Sequence, residues 1–182
     1  MPNMRKTKEE WLQEAESLIE SEHYKEALKA CEQAIRLDPR DANAYGLKSS
    51  ALLALKRYEE ALTASEEVVR LAPNEAEAYN CRGFAHFHRK LFGLALEDFD
   101  KAICLDPKNY MAYNGKGLAL CGLGKYRKAL AVLDKAIRLE PNNGMAYYYK
   151  AEVLGEGWGW KLMHTDEAVR LRKKARQLGF DG

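Results

Sequence analysis

The chain repeats itself every 34 residues, and this period limits what it can fold into more than any other feature of the sequence. Proline closes four successive segments, "RLDP", "RLAP", "CLDP" and "RLEP", at Pro39, Pro73, Pro107 and Pro141. In the same four units an aromatic residue is followed sixteen positions later by alanine: Trp11 and Ala27, Tyr45 and Ala61, Tyr79 and Ala95, Tyr113 and Ala129. Self-similarity at a fixed period of this length indicates stacked structural repeats.

Each unit has the apolar pattern of two helices. Apolar residues recur at helical spacing, as in the run Ala129, Leu130, Leu133, Ala136 and Ile137. The turn signals "SEHY", "LKRY", "RKLF" and "LGKY" separate the two helices, and the proline segments end the second helix. Asn74 and Asn109 are predicted helix N-caps, and Thr7 with Glu10 is a predicted capping box. One such hairpin cannot bury its apolar stripe alone, so the hairpins are expected to stack.

A 34-residue unit with an early aromatic, a small residue four positions later, an alanine sixteen positions later and a closing proline resembles the tetratricopeptide repeat. The small residues are Ala15, Ser49, Gly83, Gly117 and Ala151. The resemblance implies an all-α fold, a right-handed α-solenoid of five helical hairpins. The expected organisation is an N-terminal leader over residues 1–7 and a single array over 8–182, with repeats at about 8–41, 42–75, 76–109, 110–143 and 144–182.

The fifth unit departs from this pattern. Ala168 follows Tyr147 by 21 residues where the other units have 16, so five residues are inserted. The stretch "GEGWGWKLMHTDE" is therefore an enlarged turn between the two helices, and it carries Trp158 and Trp160. We expect at least one of these indoles to fold over the end of the array; the alternative is that both anchor a partner. The helix after the turn is expected to cap the array and is basic, with Arg170, Arg172, Lys173, Lys174 and Arg176.

The sequence contains no recognisable catalytic or metal-binding pattern. The motifs GxSxG, HExxH and the P-loop are absent. His86 and His88 point about 160° apart on a helix, so they cannot share one metal ion. Four cysteines without a CxxC pair favour free, buried thiols that fill the core: Cys31, Cys81, Cys104 and Cys121. We expect no enzymatic activity and no cofactor.

The overall charge does not indicate binding to nucleic acid or to an anionic membrane. Lys and Arg number 29 against 27 Asp and Glu, and the formal net charge is +2. No apolar run approaches the roughly 18 to 20 residues that a membrane helix needs, and none resembles a secretory signal. The expectation is a soluble, cytoplasmic protein.

The resemblance also implies that the first helix of each repeat lines a concave groove that holds an extended peptide or a partner's helix. Residues of the third to fifth repeats on this face are predicted to bind the peptide: Asn80, Phe84, Phe87, Met111, Asn114, Leu118, Met145, Tyr148 and Tyr149. An Asn amide can pair with both the N–H and the C=O of a ligand backbone, and Met and Tyr surround it with apolar contact. The alternative is that several of these side chains pack on neighbouring repeats.

Cochaperones of this family clamp the C-terminal carboxylate of heat-shock chaperones with basic residues on the same face. In the first register the corresponding residues are Leu12, Glu16, Leu47, Glu77 and Cys81, and none is basic in any register. A chaperone tail is therefore not the expected ligand.

The predicted function is a non-enzymatic protein-protein interaction scaffold whose partner is a protein or a peptide. The alternative is a single-stranded nucleic-acid binder that uses the basic C-terminal helix, with Trp158 and Trp160 as stacking platforms. Self-association through an exposed apolar stripe stays open.

Overall fold

The computed structural model describes residues 6–156 and 165–181. These residues form ten α-helices and no β-strand. The helices are α1 Lys8–Glu20, α2 Tyr24–Leu37, α3 Ala42–Ala54, α4 Tyr58–Leu71, α5 Ala76–His88, α6 Phe92–Leu105, α7 Tyr110–Gly122, α8 Tyr126–Leu139, α9 Gly144–Glu156 and α10 Thr165–Gln177. The all-helical prediction is confirmed, and no described helix runs through a proline of the 34-residue period.

The helices group into two compact units, Met1–Arg89 with α1 to α5 and Lys90–Gly182 with α6 to α10. Within each unit, every helix packs on the next helix along the chain. The first helices of neighbouring hairpins also contact each other, α1 with α3 and α3 with α5 in the first unit, and α7 with α9 in the second. The first helices therefore form one layer within each unit, and this is the layer that the sequence assigns to a groove.

The helix boundaries keep the period of the sequence. The first helices begin at Lys8, Ala42, Ala76, Tyr110 and Gly144, and four of the second helices begin at Tyr24, Tyr58, Phe92 and Tyr126. The period would place the start of the last helix at residue 160, but the helix begins five positions later, at Thr165. The displacement inferred from Ala168 is thus present in the structure. Most of the inserted stretch, including Trp158 and Trp160, lies outside the described residues.

Small side chains at the contacts between helices make this packing possible. The predicted alanine column is buried throughout, at Ala27, Ala61, Ala95, Ala129 and Ala168. Gly117 belongs to the other small column, and a Cβ atom there would lie 2.6 Å from Cγ of Leu133. Because that separation is far shorter than a van der Waals contact, α7 and α8 approach this closely only with a glycine at this position.

Each described turn between a first and a second helix is built on one residue in the left-handed conformation. Glu22, Lys56, Lys90 and Gly124 have φ angles of 61°, 59°, 61° and 70° and lie 34 residues apart. In the second hairpin the next N–H donates back across the helix end, from Arg57 to the Leu52 carbonyl at 2.9 Å, which is a Schellman motif. A non-glycine residue in this conformation is strained by roughly 1 to 2 kcal/mol. Three of the four turns therefore carry a strain that the glycine avoids.

Side chains cap most of the first helices. The Thr7 hydroxyl accepts a hydrogen bond from the Glu10 N–H at 3.2 Å, and the Glu10 carboxylate accepts one from the Thr7 N–H at 2.7 Å, which confirms the predicted capping box. The Asn109 side chain accepts from the N–H three residues on at 3.0 Å, which confirms the second predicted cap. The prediction for Asn74 is wrong, because α5 begins one residue later than it requires. Glu75 is the N-cap instead, and its side chain makes no capping hydrogen bond.

Two contacts recur between neighbouring hairpins. A lysine of a first helix pairs with an acidic residue sixteen positions earlier: Lys48 with Glu32, Lys116 with Asp100 and Lys150 with Asp134. A tyrosine hydroxyl donates to a proline carbonyl six positions earlier: Tyr79 to Pro73, Tyr113 to Pro107 and Tyr147 to Pro141. Both contacts join one hairpin to the start of the next, so they help to fix the stacking register. Each half-exposed ion pair contributes at most about 1 kcal/mol.

The left-handed turns generate a stability prediction. Replacing Lys56 by Gly relieves the strain at φ 59° and is expected to raise the free energy of unfolding by about 0.5 to 1 kcal/mol. The same replacement at Lys29, exposed in the interior of α2, is the matched control and is expected to lower it by about 1 kcal/mol. Urea unfolding followed by circular dichroism measures both. Loss of stability in both variants would contradict the strain at residue 56.

Candidate functional site

The predicted peptide-binding residues lie on three first helices. Asn80, Phe84 and Phe87 lie on α5 in the first unit, where a spacing of four and then three residues gives them one face. The remaining described residues lie in the second unit: Met111, Asn114 and Leu118 on α7, and Met145, Tyr148 and Tyr149 on α9. The structure thus brings together the residues within each of these two sets. The possible partner anchors Trp158 and Trp160 lie outside the described residues.

The apolar members of the predicted site are accessible, whereas the two asparagines are not. Met111 is 44% exposed, and Leu118 and Met145 are half-buried. Asn80 is only 6% exposed and Asn114 is fully buried. The α7–α9 pair could present methionine and leucine side chains to a partner without rearrangement, but not the asparagine amide.

Asn114 has an unusual environment for an amide. Neither its side-chain nitrogen nor its side-chain oxygen has a hydrogen-bond partner among the described residues, and both atoms are enclosed by protein. An unpaired buried amide costs about 1 to 3 kcal/mol in stability. The next residue, Gly115, has the Phe99 ring against it, with Cζ only 2.2 Å from where a Cβ atom would lie. This segment of α7 therefore packs closely against α6 at Gly115, whereas the Asn114 amide beside it has no hydrogen-bond partner among the described residues.

The aromatic end of the predicted site is partly covered by the chain itself. The Phe180 ring lies 5.4 Å from the Tyr148 ring and 6.4 Å from the Tyr149 ring, both edge to face. Burial, and secondarily Tyr148, raises the pKa of the Tyr149 hydroxyl, so it stays neutral as part of this cluster. Gly144 makes room on α9, because a Cβ atom there would lie 2.8 Å from Cβ of Phe180.

The backbone after α10 brings Phe180 to this place. Gly179 has a φ of 81°, and the Phe180 N–H donates to the Ala175 carbonyl at 3.0 Å, so the helix ends in a Schellman motif. Phe180 was not predicted from the sequence, although a signal was present. With the five-residue displacement, Phe180 occupies the column of the closing prolines, and no other unit has an aromatic residue there.

A pocket of about 270 Å³ lies in the first-helix layer of the first unit. Its lining comes from α3, from the end of α4 and from the start of α5: Ala42, Asn43, Gly46, Val68, Ala72, Glu75, Glu77, Ala78 and Cys81. Burial raises the pKa of the Cys81 thiol, so that it contributes a neutral wall. No site was predicted at these residues from the sequence. The available signal was Gly46, the one glycine in a column that otherwise holds Leu12, Asn80, Asn114 and Tyr148.

The described residues contain no group of three or more His, Cys, Asp or Glu that could hold a metal ion. All four cysteines are free, as predicted, but the prediction that they are buried is wrong for Cys104, which is exposed near the end of α6. Burial raises the pKa of the Cys31 thiol to about 12. None of the helices in residues 6–156 and 165–181 has the length and apolarity needed to cross a membrane.

The basic last helix has a packing role at one position. Arg172 donates to the Glu152 carboxylate of α9 through Nε at 3.2 Å and Nη2 at 2.9 Å. Lys173, Lys174 and Arg176 are exposed. No contact in the described part of the chain favours the nucleic-acid alternative.

The sequence matches two family models of the tetratricopeptide repeat, one over residues 12–76 and the other over residues 76–109 and 110–143. No curated protein matches it significantly.

Solved structures of similar fold extend this finding. The Pseudomonas aeruginosa protein pilF is 17% identical with a TM-score of 0.75, and the match covers 96% of this chain and 76% of that one. MamA from Desulfovibrio magneticus is 21% identical with a TM-score of 0.68 and 97% of both chains covered. YrrB, described as a TPR protein with an unusual peptide-binding site, is 20% identical with a TM-score of 0.58, and the match covers 92% of this chain and 84% of that one. At these identities the likeness concerns the fold, and with the repeat models it confirms an all-α solenoid.

The cluster of Phe180 with Tyr148 and Tyr149 leads to a stability prediction. Replacing Phe180 by Ala removes its contact with Tyr148 and Tyr149 and is expected to lower the free energy of unfolding by about 1 to 3 kcal/mol. Val169, on α10 and 62% exposed, is the control, and its replacement by Ala is expected to change stability by less than about 0.5 kcal/mol. Chemical unfolding of both variants is the measurement, and equal stabilities would show that Phe180 does not hold this end of the unit.

Proposed function

The chain belongs to the tetratricopeptide repeat family, and on this premise we propose that it is a non-enzymatic scaffold that binds a peptide or a partner helix on its layer of first helices. The observation that carries the proposal is the accessible apolar surface of α7 and α9. Met111 is 44% exposed and lies on the same face of α7 as the half-buried Leu118. Exposed large apolar side chains grouped on one face are typical of protein interaction surfaces.

The side chains on this face suit a peptide partner. Methionine adapts to irregular apolar surfaces, and Met111 and Met145 occupy the same position of successive repeats. The contact between α7 and α9 places both helices in one layer, so that one ligand can touch both. YrrB, which has a similar fold, carries a peptide-binding site, and this supports a peptide as the kind of partner.

In this proposal the tyrosines of α9 and the residues of α5 extend the binding surface within their own units. Phe180 covers part of Tyr148 and Tyr149, so a partner would contact the edge of that aromatic cluster or displace it. Asn80, Phe84 and Phe87 would serve a ligand on the first unit. Trp158 and Trp160 remain candidate anchors.

The first test compares two exposed apolar residues of the second unit. Capture from an extract of the source cells identifies the partner, and its affinity is then measured with purified proteins. Met111→Lys is expected to weaken binding at least about tenfold, because it places an unpaired charge in an apolar contact. Leu94→Lys is the matched control, since Leu94 is 45% exposed but lies on the second helix α6, and it is expected to bind normally. Equal affinities of the two variants would contradict a first-helix binding surface.

A second test concerns the Asn114 amide, which has no described hydrogen-bond partner. We propose that it pairs with a ligand backbone once neighbouring side chains move aside. Asn114→Ala is then expected to weaken partner binding by about 1 to 3 kcal/mol while leaving helix content and thermal stability at or above those of the wild type. Leu120→Ala, a buried apolar residue of the same helix, is expected instead to lose about 2 to 5 kcal/mol of stability. Unaltered affinity of the Asn114 variant would assign the amide a packing role alone.

A further inference from the structure

The pocket on the first unit has an apolar interior and an acidic side. Ala42, Val68, Ala72 and Ala78 form the walls together with Gly46. Glu75 and Glu77 also line it, and both are exposed at the start of α5. The volume, about 270 Å³, is slightly below the roughly 300 to 1,000 Å³ of pockets that hold small molecules. The size fits one long side chain better than a complete metabolite.

Gly46 opens this pocket and has no packing reason to be glycine. A Cβ atom at position 46 would meet nothing within 4 Å, whereas one at Gly117 would collide with Leu133. A glycine inside a helix costs roughly 1 kcal/mol relative to alanine. The residue is therefore unfavourable for α3 and unnecessary for helix contact, and its effect is to leave space where Leu12 and Tyr148 stand in the same column.

The charges at the pocket have one sign. No lysine or arginine lines it, and neither Glu75 nor Glu77 has an ion-pair partner among the described residues. The Glu75 side chain does not cap α5 either. Lys48, on the same helix as Gly46, pairs with Glu32. A cationic group is the missing complement to these two carboxylates.

We propose that the pocket binds the side chain of an arginine or lysine in a partner peptide. The aliphatic stem packs between Gly46, Val68 and Ala78, and the cation meets the carboxylates of Glu75 and Glu77. Long basic side chains bury their stems in this way while the charged head stays at the surface. Arginine fits best, because its planar guanidinium can donate to two carboxylates at once. This inference rests on the proposed function, since it names the chemistry of a partner bound by the first helices of the first unit.

The test uses two nine-residue alanine and serine peptides that differ only at the centre, where one has arginine and the other has citrulline. Citrulline keeps the length and the planar end group but removes the charge. Titration into the ¹⁵N-labelled full chain at low salt follows backbone amide shifts by NMR. The arginine peptide is expected to shift signals of residues 42–46 and 75–81 and to bind at least about fivefold more tightly than the citrulline peptide. Equal affinities, or shifts confined to other residues, would overturn the proposal.

Two sets of variants test the pocket itself. Gly46→Leu fills it with the residue found at Leu12 and is expected to weaken the arginine peptide at least about tenfold, with no loss of helix because leucine is the better helix former. Gly93→Leu is the matched control, because a Cβ atom at Gly93 also meets nothing within 4 Å and Gly93 lies on α6. Glu75→Gln combined with Glu77→Gln is expected to bring the arginine peptide to the affinity of the citrulline peptide. Normal binding by the Gly46 variant would overturn the proposal.

Binding of the natural partner to the Met111→Lys and Gly46→Leu variants tests the pocket and the proposed function independently. If Met111→Lys abolishes partner binding and Gly46→Leu does not, the interaction surface stands and the basic-residue pocket is wrong. If Gly46→Leu weakens the partner and Met111→Lys does not, the pocket stands and the proposed surface on α7 is wrong.

Discussion

The close contact of helices at alanine and glycine positions is the interaction on which the rest of this structure depends. The helices have only 13 or 14 residues, and isolated helices of that length are marginal in water. Each one is stable because it packs on its neighbours, and the buried alanines and Gly117 bring the backbones close enough for that. Within each unit the same packing places first helices beside first helices, and this creates the layer that carries the candidate site of that unit.

Much of the fold could be predicted because its causes repeat. The helix starts at Lys8, Ala42, Ala76 and Tyr110 follow the period of the prolines. The capping box of α1 could be predicted from a four-residue motif. The details that escaped prediction depend on single backbone angles. Lys56 has a left-handed backbone conformation although it is not glycine, because the hydrogen bonds at the helix end hold it there. A lysine in the sequence does not indicate this conformation. The N-cap prediction for Asn74 was also wrong, because α5 begins at Ala76 and the cap position therefore falls on Glu75.

The candidate sites were less predictable, because residues on the predicted groove face differ in burial and contacts. Met111 and Asn114 both belong to the predicted groove, yet Met111 is 44% exposed and Asn114 is fully buried. Phe180 reached α9 through a turn specific to the last helix, and Gly46 formed a pocket by lacking a side chain. In these cases the residue that departs from the repeat marks the candidate site, and the pattern shared by the repeats does not reveal it.

The recurring lysine pairs, such as Lys116 with Asp100, join residues only sixteen positions apart. Within each unit the helix contacts likewise link a helix to the next one or the next but one. Chains with such local contacts close only short loops, and they fold rapidly for that reason. A unit of this kind can therefore fold while it is being synthesised, each hairpin settling on the one before it as it leaves the ribosome, without waiting for a distant part of the chain.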